Sequence, residues 1–286
     1  MRGRLVFVIA AVVAVLVSAF PVSGKPKVRY REGWAEHPWA RYAAMAGPQC
    51  VATLRQRGVR ALAVEDAPGV LSPVRLPEGA GGVLYRTRAP AHVRARHPGE
   101  VMDCRLALAL QDFSAILRAH GIREVEIASA FRPRRARSPL GLHEHLLRHE
   151  GGLAVDVLRF GVGTEEGNER PSGSASDDGR PSGSASGHGT SVHETSGRGT
   201  SHRGTSGGGG RAWLDVEHDF GGVIGAPVCG AGQNALTPAG KTLRAIVCEA
   251  ASRHLFTSIL TPNYDRAHKN HLHLEVTPGV QWELLR

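Results

Sequence analysis

The chain has 286 residues, with 35 lysines and arginines against 26 aspartates and glutamates, for a formal charge of +9. Its four cysteines, Cys50, Cys104, Cys229 and Cys248, stand in no CxxC or Cys/His spacing, which argues against a cysteine-ligated zinc site. Beyond the N-terminal run described next, no stretch is long and apolar enough to cross a membrane.

Arg2 and Arg4 precede an uncharged run from Leu5 to Phe20, then Pro21-Val22-Ser23-Gly24 and Lys25. A basic start, an apolar middle and small residues at the exit read as a secretory signal peptide, ending at residue 24 or residue 19. An uncleaved membrane anchor is the competing reading, because the run approaches spanning length. The expected location is therefore periplasmic or extracellular. Export argues against nucleic acid as a partner. Once Arg2 and Arg4 leave, the charge falls from +9 to about +7, suited to peptidoglycan or another anionic envelope polymer. A soluble basic protein without a charged partner is the alternative. An even cysteine count on an exported chain suggests two disulfides. Of the three pairings, Cys50–Cys104 and Cys229–Cys248 are favoured, since each pair lies within one half of the chain.

After an N-terminal extension (25–40), residues 41–286 are expected to form a single, monomeric domain. Residues 40–57 have helical spacing that ends at Gly58. Residues 105–120 predict an amphipathic helix, with Leu106, Leu108, Leu110, Phe113, Ile116 and Leu117 apolar and Gly121 as its stop. Residues 124–130 alternate as a strand. In the next strand Leu153, Val155 and Val157 alternate with Ala154 and Asp156, which sends Asp156 to the opposite face. Composition then changes over residues 162–210. The heptad Arg170-Pro171-Ser172-Gly173-Ser174-Ala175-Ser176 recurs at 180–186, and Gly207 to Gly210 close the stretch. Such a Gly/Ser-rich segment buries too little apolar surface to offset its ordering entropy, so it reads as a disordered surface insertion. His188, His193 and His202 within it read as solvated filler. Thr237 as N-cap and Pro238 at the first helical position open a helix through Leu243, Ile246, Val247 and Ala250. Residues 256–260 form a short apolar run, and 270–276 the last strand. Helices and short strands mix without a βαβ rhythm, which predicts an α+β fold with a small, mostly antiparallel sheet.

Chemistry concentrates at two places. One is His149-Glu150-Gly151-Gly152-Leu153-Ala154-Val155-Asp156; the other is His268-Lys269-Asn270-His271-Leu272-His273. In a strand, side chains two apart share a face, so His271 and His273 point into one space. Imidazoles and a carboxylate from separate segments, with a further position open to water, are how catalytic zinc is usually held.

These residues resemble the LAS group of zinc peptidases, which includes D-alanyl-D-alanine carboxypeptidases, peptidoglycan endopeptidases and the hedgehog-type domain. More closely, the chain resembles the bacterial extensin-like C-terminal family. The matching pieces are Asp103-Cys104-Arg105-Leu106-Ala107, Ser129-Ala130-Phe131-Arg132-Pro133, Gly152-Leu153-Ala154-Val155-Asp156 and Leu260-Thr261-Pro262-Asn263-Tyr264-Asp265, leading into the histidines. The resemblance implies Zn2+ held by His149, Asp156 and His273. It implies His271 as oxyanion stabiliser or proton carrier, His268 as an auxiliary histidine, and Arg132 as the group that holds a substrate carbonyl or carboxylate. Peptide-bond hydrolysis in peptidoglycan stem peptides or cross-links is the activity it implies. Two departures stand out. Leu147 replaces the group's usual serine, and Asn270 replaces its usual acid. An amide cannot act as a general base, so that role falls to His271, His268 or a carboxylate from elsewhere, such as Glu150 or Asp265. A non-catalytic, metal-stabilised envelope-binding module is the alternative function.

Overall fold

The computed structural model describes residues 33–133, 148–163, 212–230 and 236–286. The signal-like run, the Leu147 position, and almost all of the Gly/Ser-rich insertion with its three histidines lie outside the described residues. In chain order the helices are α1 (Pro38–Ala43), α2 (Gly47–Gln56), α3 (Ala91–Arg94), α4 (Cys104–Ala119), α5 (Val216–Asp219) and α6 (Pro238–Ser252). The strands are β1 (Leu62–Ala63), β2 (Pro73–Arg75), β3 (Leu84–Arg86), β4 (Met102–Asp103), β5 (Ile122–Ser129), β6 (Ala154–Val162), β7 (Trp213–Asp215), β8 (Ser258–Leu260), β9 (Leu272–Glu275) and β10 (Leu284–Leu285). The fold is α+β.

A small antiparallel sheet has the order β1-β2-β4. The larger sheet has the order β10-β8-β9-β6-β5-β3, with β7 also paired to β6. Its inner pairs are antiparallel, and only the outer pairs β3–β5 and β10–β8 run parallel.

Local chemistry sets the helix boundaries. Pro48 has no N–H and fits only a first turn. The single helical stretch expected over 40–57 is therefore two helices, α1 and α2, broken at residues 44–46. Asp103 caps α4 by accepting the Arg105 backbone N–H at 3.0 Å, and its carboxylate also takes the Arg105 guanidinium at 2.7 and 3.1 Å. Thr237 caps α6 as expected, with its hydroxyl accepting the Gly240 N–H at 3.1 Å. The first half of α4 is not amphipathic in its surroundings. Leu106, Ala107, Leu108, Ala109 and Leu110 are all fully buried, because the helix runs beneath the large sheet with α1, α2 and α6 around it.

The large sheet has two unlike faces. Val125, Ile127, Val155, Val157, Ile259, Leu272 and Leu274 are buried in the core with the helices. On the other face Glu124, Glu126, Asp156, His273 and Glu275 are buried as well, which ionisable groups tolerate only when paired. Arginines supply the pairing: Arg86 to Glu124, Arg88 and Arg159 to Glu126, Arg132 to Asp156 and Arg148 to Glu275. Two disulfides, Cys50–Cys104 and Cys229–Cys248, tie α2 to α4 and the 221–230 loop to α6. Among the described residues no helix is long and apolar enough to cross a membrane.

Candidate metal centre

Sheet register builds the site. Asp156 on β6 lies opposite His273 on β9 and opposite Ser129 on β5, while His273 lies opposite Leu260 on β8. Directly opposed residues of an antiparallel pair share a face with their Cβ atoms about 5 Å apart. Asp156 and His273 consequently meet, with His273 Nδ1 at 2.9 Å from Asp156 Oδ1. His149 enters from the turn before β6, its Nε2 at 3.2 Å from the same oxygen. That turn depends on Gly152. Its φ is +64°, and a Cβ there would stand 2.7 Å from the Asp103 backbone nitrogen, so only glycine fits. The Asp103 N–H donates to the Gly152 carbonyl at 2.8 Å, coupling the turn to the cap of α4.

Ligand atoms of His149, Asp156 and His273 all lie within 4.8 Å of one another, a grouping that could hold a metal ion. The donor set suits the ion on a further ground. Each imidazole's other nitrogen is engaged behind it: His149 Nδ1–H donates to the Ala130 carbonyl at 2.9 Å, and His273 Nε2–H to Glu275 Oε2 at 3.3 Å. Such backing fixes the tautomer and aims the remaining lone pair inward. Glu275 is itself held by Arg148 at 3.1 Å and by the Thr277 hydroxyl.

Three further groups surround this triad. His271 Nε2 is 3.6 Å from Asp156 Oδ1, and its Nδ1–H donates to Asn270 Oδ1 at 2.9 Å. The His268 ring is centred 5.1 Å from that of His271 and 5.9 Å from that of His273. Its Nδ1–H donates to Asp265 Oδ1 at 2.7 Å, and the same carboxylate accepts the Ala267 and His268 N–H groups at 2.8 and 3.1 Å. Asp265 thus caps the short turn that carries His268 and orients its ring at once. Arg132 bonds Asp156 and, through Nε at 2.7 Å, the Ser129 hydroxyl. Phe131, buried in a small cluster with Ala67, Val70 and Val101, anchors the segment that carries it.

Protonation follows from this crowding. Burial works against ionising Asp156, but hydrogen bonds from His149 and His273 and the charge of His271 outweigh it, leaving the carboxyl far below its usual range. For His273, burial opposes the charge, yet bonds to Asp156 and Glu275 push its pKa up. His271 moves down, first through burial and then through repulsion by His268, His273 and Arg132, despite the pull of Asp156.

All six candidate residues read from the sequence, His149, Asp156, His273, His271, His268 and Arg132, fall in this one neighbourhood. Of the two substitute carboxylates considered, Asp265 reaches a site histidine. Sequence reading passed over Glu275, Arg148 and Ser129. Glu275 carried a usable signal, since it stands two residues beyond His273 on the same strand face. Arg148 and Ser129 carried none without the register. No protein-family model, curated protein or solved structure matches the chain.

Proposed function

We propose that the protein is an exported zinc-dependent metallopeptidase that hydrolyses peptide bonds in peptidoglycan stem peptides or cross-links. One observation carries this reading: three ligand atoms from His149, Asp156 and His273 converge within 4.8 Å, with both imidazoles braced from behind. Two disulfides, the motif resemblance and the positive charge support it. Bound there, zinc supplies Lewis acidity and lowers the pKa of a coordinated water toward ~7.

The remaining steps belong to the chain's own side chains. Asn270 cannot take a proton, and its amide oxygen instead holds the His271 ring. His268, backed by Asp265, is the base that accepts the proton of the attacking water and returns it to the leaving amine. His271, with its Nδ1–H on Asn270, presents an Nε2 that takes a proton before it donates to the oxyanion developing on the scissile carbonyl. Arg132, whose side chain is 53% exposed, orients a substrate carbonyl or carboxylate.

A second reading has its own observation. With Asn270 in place of an acid and Arg132 engaged by Asp156 and Ser129, the site would also suit a metal-stabilised module that binds envelope polymer without cleaving it. Zinc analysis and muropeptide digestion by the signal-free protein, beside His273→Ala and His271→Ala variants, separate the two. A peptidase retains one zinc at this centre, loses it in His273→Ala, and in His271→Ala keeps the zinc while losing cleavage. Wall binding with zinc but no hydrolysis by the wild type would favour the module.

A further inference from the structure

A second set of imidazole and carboxylate groups converges where three distant parts of the chain meet. His37 directly precedes α1, His254 follows the end of α6, and Glu283 directly precedes β10. We propose that His37, His254 and Glu283 form a second metal site, for Zn2+ or another imidazole-preferring dication, that pins the N-terminal helix to the C-terminal strand.

Ligand atoms of the three residues lie within 4.8 Å of one another. Glu283 Oε1 accepts from His37 Nδ1 at 2.6 Å and from His254 Nδ1 at 2.9 Å, with Oε2 at 2.8 Å from the latter. Two imidazoles and a carboxylate make a donor set suited to zinc, with a further position left to water. The side chains are 16%, 24% and 27% exposed, enough for an ion to enter from solvent and little enough to keep the carboxylate partly desolvated.

The surroundings bring these three residues together. Trp39, 1% exposed, donates its indole N–H to Glu283 Oε1 at 2.6 Å and its backbone N–H to the His254 carbonyl at 3.3 Å. Trp34 stacks on Trp39 with ring centroids 6.0 Å apart. The Leu284 N–H donates to the Thr257 carbonyl at 2.8 Å, fixing the residue after Glu283. His254 offers an independent sign. Its φ is +52°, and among the described residues it alone adopts a positive φ without being glycine. It sits just beyond the C-cap of α6, where glycine is the usual occupant. An imidazole retained in that strained position, and reaching Glu283, points to use of the side chain.

The His37 and His254 rings stack, with centroids 3.8 Å apart and planes 10° from parallel. Imidazole lone pairs lie in the ring plane, so parallel rings cannot both meet one ion at about 2.0 Å from each nitrogen. Binding must therefore turn at least one ring out of the stack; a ring whose Nδ1–H donates to Glu283 carries its lone pair on Nε2, which can ligate without a change of tautomer. The set shares no residue with the centre around Asp156. It also lies at the other end of β8, since Leu284 pairs with Ser258 whereas His273 pairs with Leu260.

The test titrates the metal-free, full-length protein with Zn2+ by calorimetry, alongside His254→Gly, His273→Ala and the double variant. His254→Gly removes the ligand and relieves the backbone strain, so its fold is retained. Tryptophan fluorescence, to which Trp39 contributes beside this site, is followed with Ni2+ in the His273→Ala background. Two tight zinc ions in the wild type, one in each single variant and none in the double support the proposal, as does Ni2+ quenching abolished by His254→Gly. Two ions retained in His254→Gly overturn it. A single ion lost in His273→Ala also overturns it and leaves the peptidase centre standing. A single ion lost instead in His254→Gly supports the second site and removes the basis of the proposed function. No tight zinc in any protein overturns both.

Discussion

At Asp156 one carboxylate faces three imidazoles and a guanidinium, and this imbalance makes the position chemically readable. Such a cluster is satisfied by an ion that takes the imidazole lone pairs, or by protons on the rings. In chelated protein the proton belongs on His273, the ring whose pKa is raised, and the sign of its pH dependence follows. The folded pKa of His273 is raised above its unfolded value of about 6.5. Its contribution to stability is therefore complete below that value and is lost as pH rises through the folded pKa. The melting temperature of chelated wild-type protein should exceed that of chelated His273→Gln at pH 6, and the gap should close toward pH 9. A constant gap would show that His273 gains no proton on folding. Zinc competes with that same proton, so its apparent affinity should rise over this range. Glu275 braces His273 from behind, and outer partners of this type typically carry about 10–100-fold in metal affinity. Glu275→Ala should weaken zinc by that order in a chelator-competition titration while leaving one ion at the centre when saturated; unchanged affinity would remove Glu275 from the centre.

Between residues and molecule, the decisive joint is the one that starts α4. Asp103 is fully buried; its carboxylate caps the helix and holds the Arg105 guanidinium through two hydrogen bonds, while its backbone N–H donates to the Gly152 carbonyl, so one residue links the core helix to the turn that delivers His149. Removing one partner of a buried pair strands the other, at a cost of about 3–5 kcal/mol. Asp103→Ala should lower unfolding stability by that amount in urea while the folded protein keeps its metal affinity, since alanine retains the backbone bond to Gly152; a loss under ~1 kcal/mol would mean Arg105 finds another partner. Much at this scale was legible in the sequence. α4, α6 and β9 carry local signals, in apolar spacing, a Thr-Pro start and alternation. The split between α1 and α2 was legible too, since Pro48 cannot sit inside a helix, but periodicity alone ran across it. The two- and three-residue strands β1, β2, β3, β4, β7 and β10 were not, because strands that short owe their form to partners distant in sequence.

For the molecule as a whole, the Gly/Ser-rich segment matters less by its length than by where its ends lie. β6 and β7 pair antiparallel, and the Val162 N–H donates to the Ala212 carbonyl at 2.8 Å, so the segment springs from the mouth of a hairpin. Closure entropy grows slowly with loop length, which lets such a hairpin carry a long excursion. Replacing residues 163–210 with a short turn should leave the circular dichroism spectrum and zinc content unchanged; an unfolded product would assign the segment a structural part. The disulfides act over sequence separations of 54 and 19 residues, worth about 4 and about 3 kcal/mol in the chain-entropy account.

By itself the sequence determined the α+β class, the main helices and the favoured cysteine pairing, since each rests on local composition, spacing or period, while the shortlist of histidines, Asp156 and Arg132 came from motif resemblance. Tertiary structure alone decided that Asp156 and His273, 117 positions apart, stand side by side, that Glu275 and Ala130 brace the imidazoles, and that His37, His254 and Glu283 meet. The physical reason is register. A period of two says which face a strand residue takes, but only the pairing of β6 with β9, and of β8 with β10, says which residue lies across from it.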